Sequence, residues 1–204
     1  AVTQVGKLAI NQRNFNWIDV KKNSFFCPDK KIVKVWEEYL DETRKKGSSL
    51  GAKLLVNAKN VPAGLGEPVY GKLDADLAGA MMSINAVKGV EIGAGNEAVE
   101  LSGDENSDEI RANKNKKIIF SSNNSGGILG GISSGQDLNL SITIKPTSSI
   151  LKEKKTINNK FQNTSISTKG RHDPCVGLRA VPIAEAMMAC VLADHILRNR
   201  AQCG

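Results

Sequence analysis

Apolar residues recur at helical spacing from Ile32 to Leu40, where Ile32, Val33, Trp36, Tyr39 and Leu40 share one face. Asp29 is the candidate N-cap of that helix, and Lys45, Lys46 and Gly47 supply its stop. "GAKLLVNAKNV" reads as a strand, and the glycine- and proline-rich "PAGLGEPVYG" after it as turns. A second helix fits "KLDADLAGAMMSI", with Leu73, Leu77, Ala80, Met81 and Ile84 inward and its methionines as packing. "NAVKGVEIGAGNEAVEL" reads as strand, glycine turn and strand, and "SGDENSDEIRANKNKK" as an exposed loop. Strict alternation returns in "LNLSITIKP", which puts Leu138, Leu140, Ile142 and Ile144 on one face until Pro146 ends the strand. "TSSILKEKKTINNKFQNTSISTKG" is a polar connection. The last helix is expected to start near Pro182, where a missing amide costs nothing, and to be interior or at a subunit contact because its apolar residues run almost all round. Mixed helices and hairpin-like strand pairs predict an α+β layered fold.

Composition narrows the class. A chain of 204 residues, 40% hydrophobic, can bury a real core, and its length favours one domain or at most two. Glu185, Asp194 and His195 break the apolar run from Val181 to Leu197, which argues against a membrane span. The opening "AVTQVGKLAI" has neither an apolar signal core nor an initiator Met, so the chain is expected to begin inside a longer protein. A net charge of +7 calls for an anionic partner, while 4% aromatic content leaves few stacking platforms for nucleic acid. Cys27, Cys175, Cys190 and Cys203 form no Cys-x-x-Cys pair, which fits a reducing cytoplasm. His172-x-x-Cys175 lacks the second ligand pair that a zinc site needs, so no metal is expected.

Four stretches carry candidate chemistry. "GAGNEA" matches a dinucleotide fingerprint in letters, but no helical period follows it to receive a pyrophosphate. "SSNNSGGILGGISSGQ" holds the pairs Gly126-Gly127 and Gly130-Gly131, which suit positive φ or close backbone approach, and the apolar residues between them argue for a packed loop offering amides to an anion. "KPTSSI" puts a lysine, a rigid proline and three hydroxyls at a strand end, a cradle for phosphate or a ring's polar edge. "GRHDPC" crowds Arg171, His172, Asp173 and Cys175 just before the last helix. Three such loops at the ends of apolar elements favour a ligand site.

The last three of these strings, the final one extended to "GRHDPCVGLRAVPIAEAM", together with "VPAGLGEPVYGKLDADLAGAMMSINAVKGVEIG", resemble the chorismate synthase family from Cys27 onward. The resemblance implies helices sandwiched between antiparallel sheets and a homotetramer. It also implies conversion of 5-enolpyruvylshikimate 3-phosphate to chorismate by 1,4-anti elimination, with reduced FMN and no net redox change. Carried over by residue, the flavin contacts are Asn85, Ala86, Gly130, Lys145, Pro146, Thr147, Ser148, Ser149 and Arg171, and Asp173 is the catalytic carboxylate. His172 receives no role, and Cys175 is read as packing. The family's amino-terminal portion, with its catalytic histidines and phosphate-binding arginines, has no counterpart here. The chain is therefore expected to be the carboxy-terminal portion of one chorismate synthase domain, incomplete for catalysis alone and needing the missing portion or a partner chain. Ser48 stands where an acidic residue is frequent in the family, and Asn96 where an aromatic is. The alternative is a non-catalytic fragment that keeps a flavin- or anion-binding surface and a subunit interface.

Overall fold

The alternation from Leu138 to Ile144 becomes the inner face of a strand, its four apolar side chains no more than 2% exposed. A computed structural model describes residues 1–115 and 118–204. Along the chain these form β1 (Val2–Val5), β2 (Leu8–Ala9), α1 (Trp17–Val20), α2 (Val33–Lys45), β3 (Ala52–Ala58), α3 (Leu73–Ser83) and β4 (Val87–Ile92). There follow α4 (Gly103–Asn106), β5 (Ile110–Ala112), β6 (Ile118–Phe120), β7 (Ile128–Leu129), β8 (Ile132–Ser133), β9 (Leu138–Ile144), β10 (Lys154–Ile157), β11 (Asn163–Ile166) and α5 (Gly177–Cys203). The larger sheet has the order β2-β1-β3-β9-β4, and three two-stranded antiparallel ribbons accompany it, an α+β fold as expected. The chain divides into two compact units, Ala1–Leu54 with Thr143–Val181 and Leu55–Ile142 with Pro182–Gly204.

In the first unit β1 pairs antiparallel with β2 and with β3, Val2 opposite Leu54 and Val5 opposite Ala52. Trp36 and Leu40 of α2 are buried as their spacing predicts, and the Trp36 indole donates to Leu8 O at 3.2 Å. The cap differs. α2 begins at Val33 after Ile32, and Asp29 instead accepts from the Asn11 amide, the Asn14 amide side chain and the Lys31 amide at 3.0–3.2 Å. The carboxylate thus organises the loop before the helix rather than its first turn. Gly47 (φ +64°) closes the helix, its amide donating to Arg44 O at 2.9 Å. The polar connection after Ser149 holds the β10–β11 hairpin, registered from Lys154↔Ile166 to Ile157↔Asn163. Its polar residues fall on both faces, so no alternation reveals it.

In the second unit Leu73, Leu77 and Met81 of α3 are buried on one stripe, as expected. The strand expected after the glycine turn is absent: Gly95–Glu100 is a 3₁₀ helix. The segment expected to be a loop contains α4, held by a Ser102/Glu105 capping box, and β5, which pairs with β6 just beyond it; its residues 116 and 117 lie outside the described residues.

α5 corrects the expected start. It begins at Gly177, five residues before Pro182, so the proline sits inside the helix and withholds the bond that the Leu178 carbonyl would accept. Its burial follows one stripe, Ala180, Val181, Ala184, Met188 and His195, while Ile183 and Leu197 are exposed. It is also the one described helix long and apolar enough to cross a membrane, a test that core helices pass too. In the second unit, buried His195 bonds to Asp76 at 3.0 Å and Arg198 to Asp194 at 2.7 Å.

Candidate functional site

In the first unit the residues following α2 stitch two loops together. Ser49 Oγ donates to Thr147 O at 2.6 Å, and the Leu50 amide donates to Pro174 O at 2.7 Å. Gly51 comes next, where an added Cβ would stand 2.5 Å from Ile144 O, so only glycine lets the end of β9 approach. The strap Lys145–Ser149 and the loop Arg171–Cys175, far apart in sequence, are thereby fixed to the same three residues. Lys145, Pro146, Ser148 and Arg171 stand exposed on them. Cys175 is buried, in keeping with packing, and burial pushes its thiol pKa up. Gly177 continues the anchoring, since a Cβ there would overlap that of Ala52.

Three polar side chains stand together on these loops. Asp173 Oδ2 pairs with Arg179 Nε at 3.0 Å. Thr147 Oγ1 and His172 Nε2 are buried with no partner among the described residues. A cavity of about 50 Å³ is lined by Arg44, Gly47, Ser48, Ile150, His172 and Pro174, among others.

In the second unit what is presented is backbone of unusual φ. Asn85 and Ala86 form the turn between α3 and β4, closed by the Val87 amide on Ile84 O at 3.2 Å, with Ala86 at φ +71°. That is a conformation turns normally give to glycine, and strain of this kind gathers at functional positions. Gly126, Gly127, Gly130 and Gly131 all have positive φ, as the glycine pairs predicted. Gly130 and Gly131 form the β7–β8 turn, and the space over Gly130 is open. Ile128 is buried but Leu129 is exposed, so the packing between the pairs is one-sided.

Sequence reasoning missed the group that holds this loop. Asp108, read as part of an exposed loop, accepts from Ser122 Oγ at 2.6 Å and from the Asn124 and Ser125 amides at 2.7 and 2.8 Å. Burial pushes its pKa up, but the bonds from Ser122, Ser125 and Asn124 outweigh that and hold it below the ordinary 3.8. A carboxylate facing consecutive amides is an anion-nest geometry, and an acidic residue beside a Ser/Asn-rich loop was the available signal. Of the expected residues, Lys145 to Ser149, Arg171 and Asp173 lie in the first unit on the two stitched loops. Asn85, Ala86 and Gly130 lie in the second, on two different turns.

A family model described as chorismate synthase matches residues 1–197. The chain belongs to the chorismate synthase family. It is 61% identical over 203 residues to the chorismate synthase of Pelagibacter ubique, which it covers to 56%. It is 61% identical over 204 residues to that of Afipia carboxidovorans, also covered to 56%, and 59% identical to that of Rhodospirillum centenum, covered to 54%. All of this chain is matched in each case, so it spans about half the length of the curated relatives it matches. A crystal structure of a chorismate synthase superposes with a TM-score of 0.79 at 30% identity, over 97% of this chain and 56% of that one. In this chain the "GAGNEA" string has a structural use: Gly93, at φ +60°, lets the Ala94 amide reach Asn124 O at 2.7 Å. The helix that follows is 3₁₀ and six residues long, without the α-helical amino end that a dinucleotide site requires.

Proposed function

We propose that this chain forms the carboxy-terminal part of a chorismate synthase, a cytoplasmic, homotetrameric lyase. The reaction converts 5-enolpyruvylshikimate 3-phosphate to chorismate and phosphate by 1,4-anti elimination with reduced FMN, a step of aromatic amino acid biosynthesis. The observation that carries the reading is the joining of the Lys145–Ser149 strap and the Arg171–Asp173 loop through Ser49 and Leu50. An anionic cofactor with a polar ring edge fits the residues of the first unit: Thr147 Oγ1 is an orphaned buried hydroxyl, and Lys145 and Arg171 are exposed cations. Lys145 to Ser149, Arg171, Asn85, Ala86 and Gly130 are the residues assigned to hold it. When bound, a dihydroflavin supplies electron density to the allylic system without net oxidation.

This chain's own groups bind and move protons. Lys145 gives a point charge and Arg171 a directed fork to phosphate, carboxylate or carbonyl oxygens, neutralising charge as phosphate departs with the C–O electron pair. Asp173, one oxygen tied to Arg179, keeps the other to hold the proton lost from the substrate ring. The test joins this chain to the amino-terminal portion of a relative and follows phosphate release and chorismate formation with reduced FMN. Turnover is expected from the joined protein, with tighter FMN binding than the chain alone gives. Equal FMN affinity in both, with no turnover from the joined form, would leave the non-catalytic alternative in its place.

A further inference from the structure

The Arg179–Asp173 ion pair ties the loop before α5 to the first turn of that helix. Arg179 meets one carboxylate oxygen through Nε, and its side chain is 67% exposed against 28% for Asp173. A pair of this exposure contributes little to stability. What surrounds it is fixed, however. Pro174 O accepts the Leu50 amide, Cys175 is buried, and Gly177 packs its backbone against Ala52. The backbone on both sides of the pair is therefore set, and the side-chain torsions of Asp173 are what remain to be chosen. Among the described residues, Oδ2 is the oxygen that is engaged and Oδ1 is not.

We propose that Arg179 is a positioning residue for Asp173: its Nε fixes Oδ2, which selects one rotamer and turns Oδ1 toward the ring proton. The inference rests on the proton-holding role proposed for Asp173. It assigns Arg179 no contact with substrate or flavin. A guanidinium reaching from the first turn of a helix holds a direction, whereas lysine offers a compact charge on a flexible stem.

The experiment uses the full-length enzyme with four variants: Arg179→Met, Arg179→Lys, Asp173→Asn and the Arg179→Met/Asp173→Asn double. Turnover with reduced FMN, KM for substrate, FMN affinity and melting temperature are measured on each. Arg179→Met is expected to lower kcat about tenfold or more, the scale of a misplaced catalytic group, with KM, FMN affinity and melting temperature kept. Arg179→Lys should recover part of that loss, and in the Asp173→Asn background Arg179→Met should add nothing, because it acts only through the carboxylate. An equal loss in both backgrounds, unchanged kcat, or weakened FMN or substrate binding with kcat intact would each overturn the proposal. Normal turnover of Asp173→Asn alone removes the Asp173 role and this one with it. An impaired Asp173→Asn beside an unimpaired Arg179→Met removes only the Arg179 role.

Discussion

The two stitched loops of the first unit and the glycine loop of the second are built on opposite plans. In the first, a few hydrogen bonds from Ser49 and Leu50 fix the backbone, and cationic side chains stand exposed upon it. In the second, the side chains do the fixing: Asp108 gathers Ser122, Asn124 and Ser125, Gln136 donates to Ser122 O at 2.7 Å, and Asn123 to Asp137 O at 2.8 Å. What the glycine loop then offers is backbone of unusual φ. Charge is presented in one region and shape in the other, so substitutions in the first should move chemistry and those in the second should move stability.

The largest expected effect tests the first half of that contrast. In full-length enzyme Asp173→Asn should cut turnover about a hundredfold or more while FMN titration and melting temperature stay put. A matching loss of stability would show that the carboxylate is structural and that the contrast fails. Next comes the second unit. Gly93→Ala puts a Cβ into Asn124 O at positive φ and should cost about 3 kcal/mol in urea unfolding, as overlap and strain add. Gly130→Ala, at φ +58° with open space, should cost only about 1 kcal/mol. Equal costs would mean that contact, not conformation, is irrelevant to this loop.

Smaller effects sharpen the same picture. Ser49→Ala removes one bond to the strap and should cost about 1 kcal/mol while weakening FMN binding more than Gly130→Ala does. FMN affinity unchanged by Ser49→Ala would detach the strap from the cofactor. Asp108 makes stability depend on pH with a defined sign. Its folded pKa is depressed, so its contribution is complete above the unfolded value near 3.8 and is lost as pH falls through the lower folded value. Asp108→Asn should flatten that acid limb of the unfolding curve, and an unchanged limb would mean that other carboxylates set it.

Where one face of an element is buried, the chain's own period was enough to read it. Leu138 to Ile144, Leu73 to Met81, and Trp36 with Leu40 all fell inward as their spacing predicted. The glycine pairs were legible for a related reason, since only positive φ rewards such a cost in chain entropy. Several of the failures share a different cause: they depend on partners distant in sequence. Asp29 has the composition of a cap, yet the Asn11 and Asn14 nitrogens compete for it from fifteen or more positions away. Ser49 and Asp108 look like ordinary loop residues until Thr147 and Ser122 arrive beside them. Pro182 was read by the local rule for first turns, but the helix had already begun at Gly177, anchored on Ala52. The residues assigned to the flavin came from family resemblance and not from period or spacing.

The exposed β10–β11 hairpin has a consequence for how the chain responds to cutting. It buries none of its eight strand residues, and a two-stranded ribbon without a packed face is marginal, so its amides should exchange early and a protease should find it first. Lys152, Lys154, Lys155 and Lys160 make it a substrate for trypsin. A nick there severs the covalent path from Ser149 to Arg171 but none of the bonds from Ser49 and Leu50, which reach the two loops from a third part of the chain. The nicked protein should therefore migrate as two pieces in denaturant and as one in buffer, with the strap and the Arg171–Asp173 loop still in register. In this region, connectivity and proximity are separate properties of the fold.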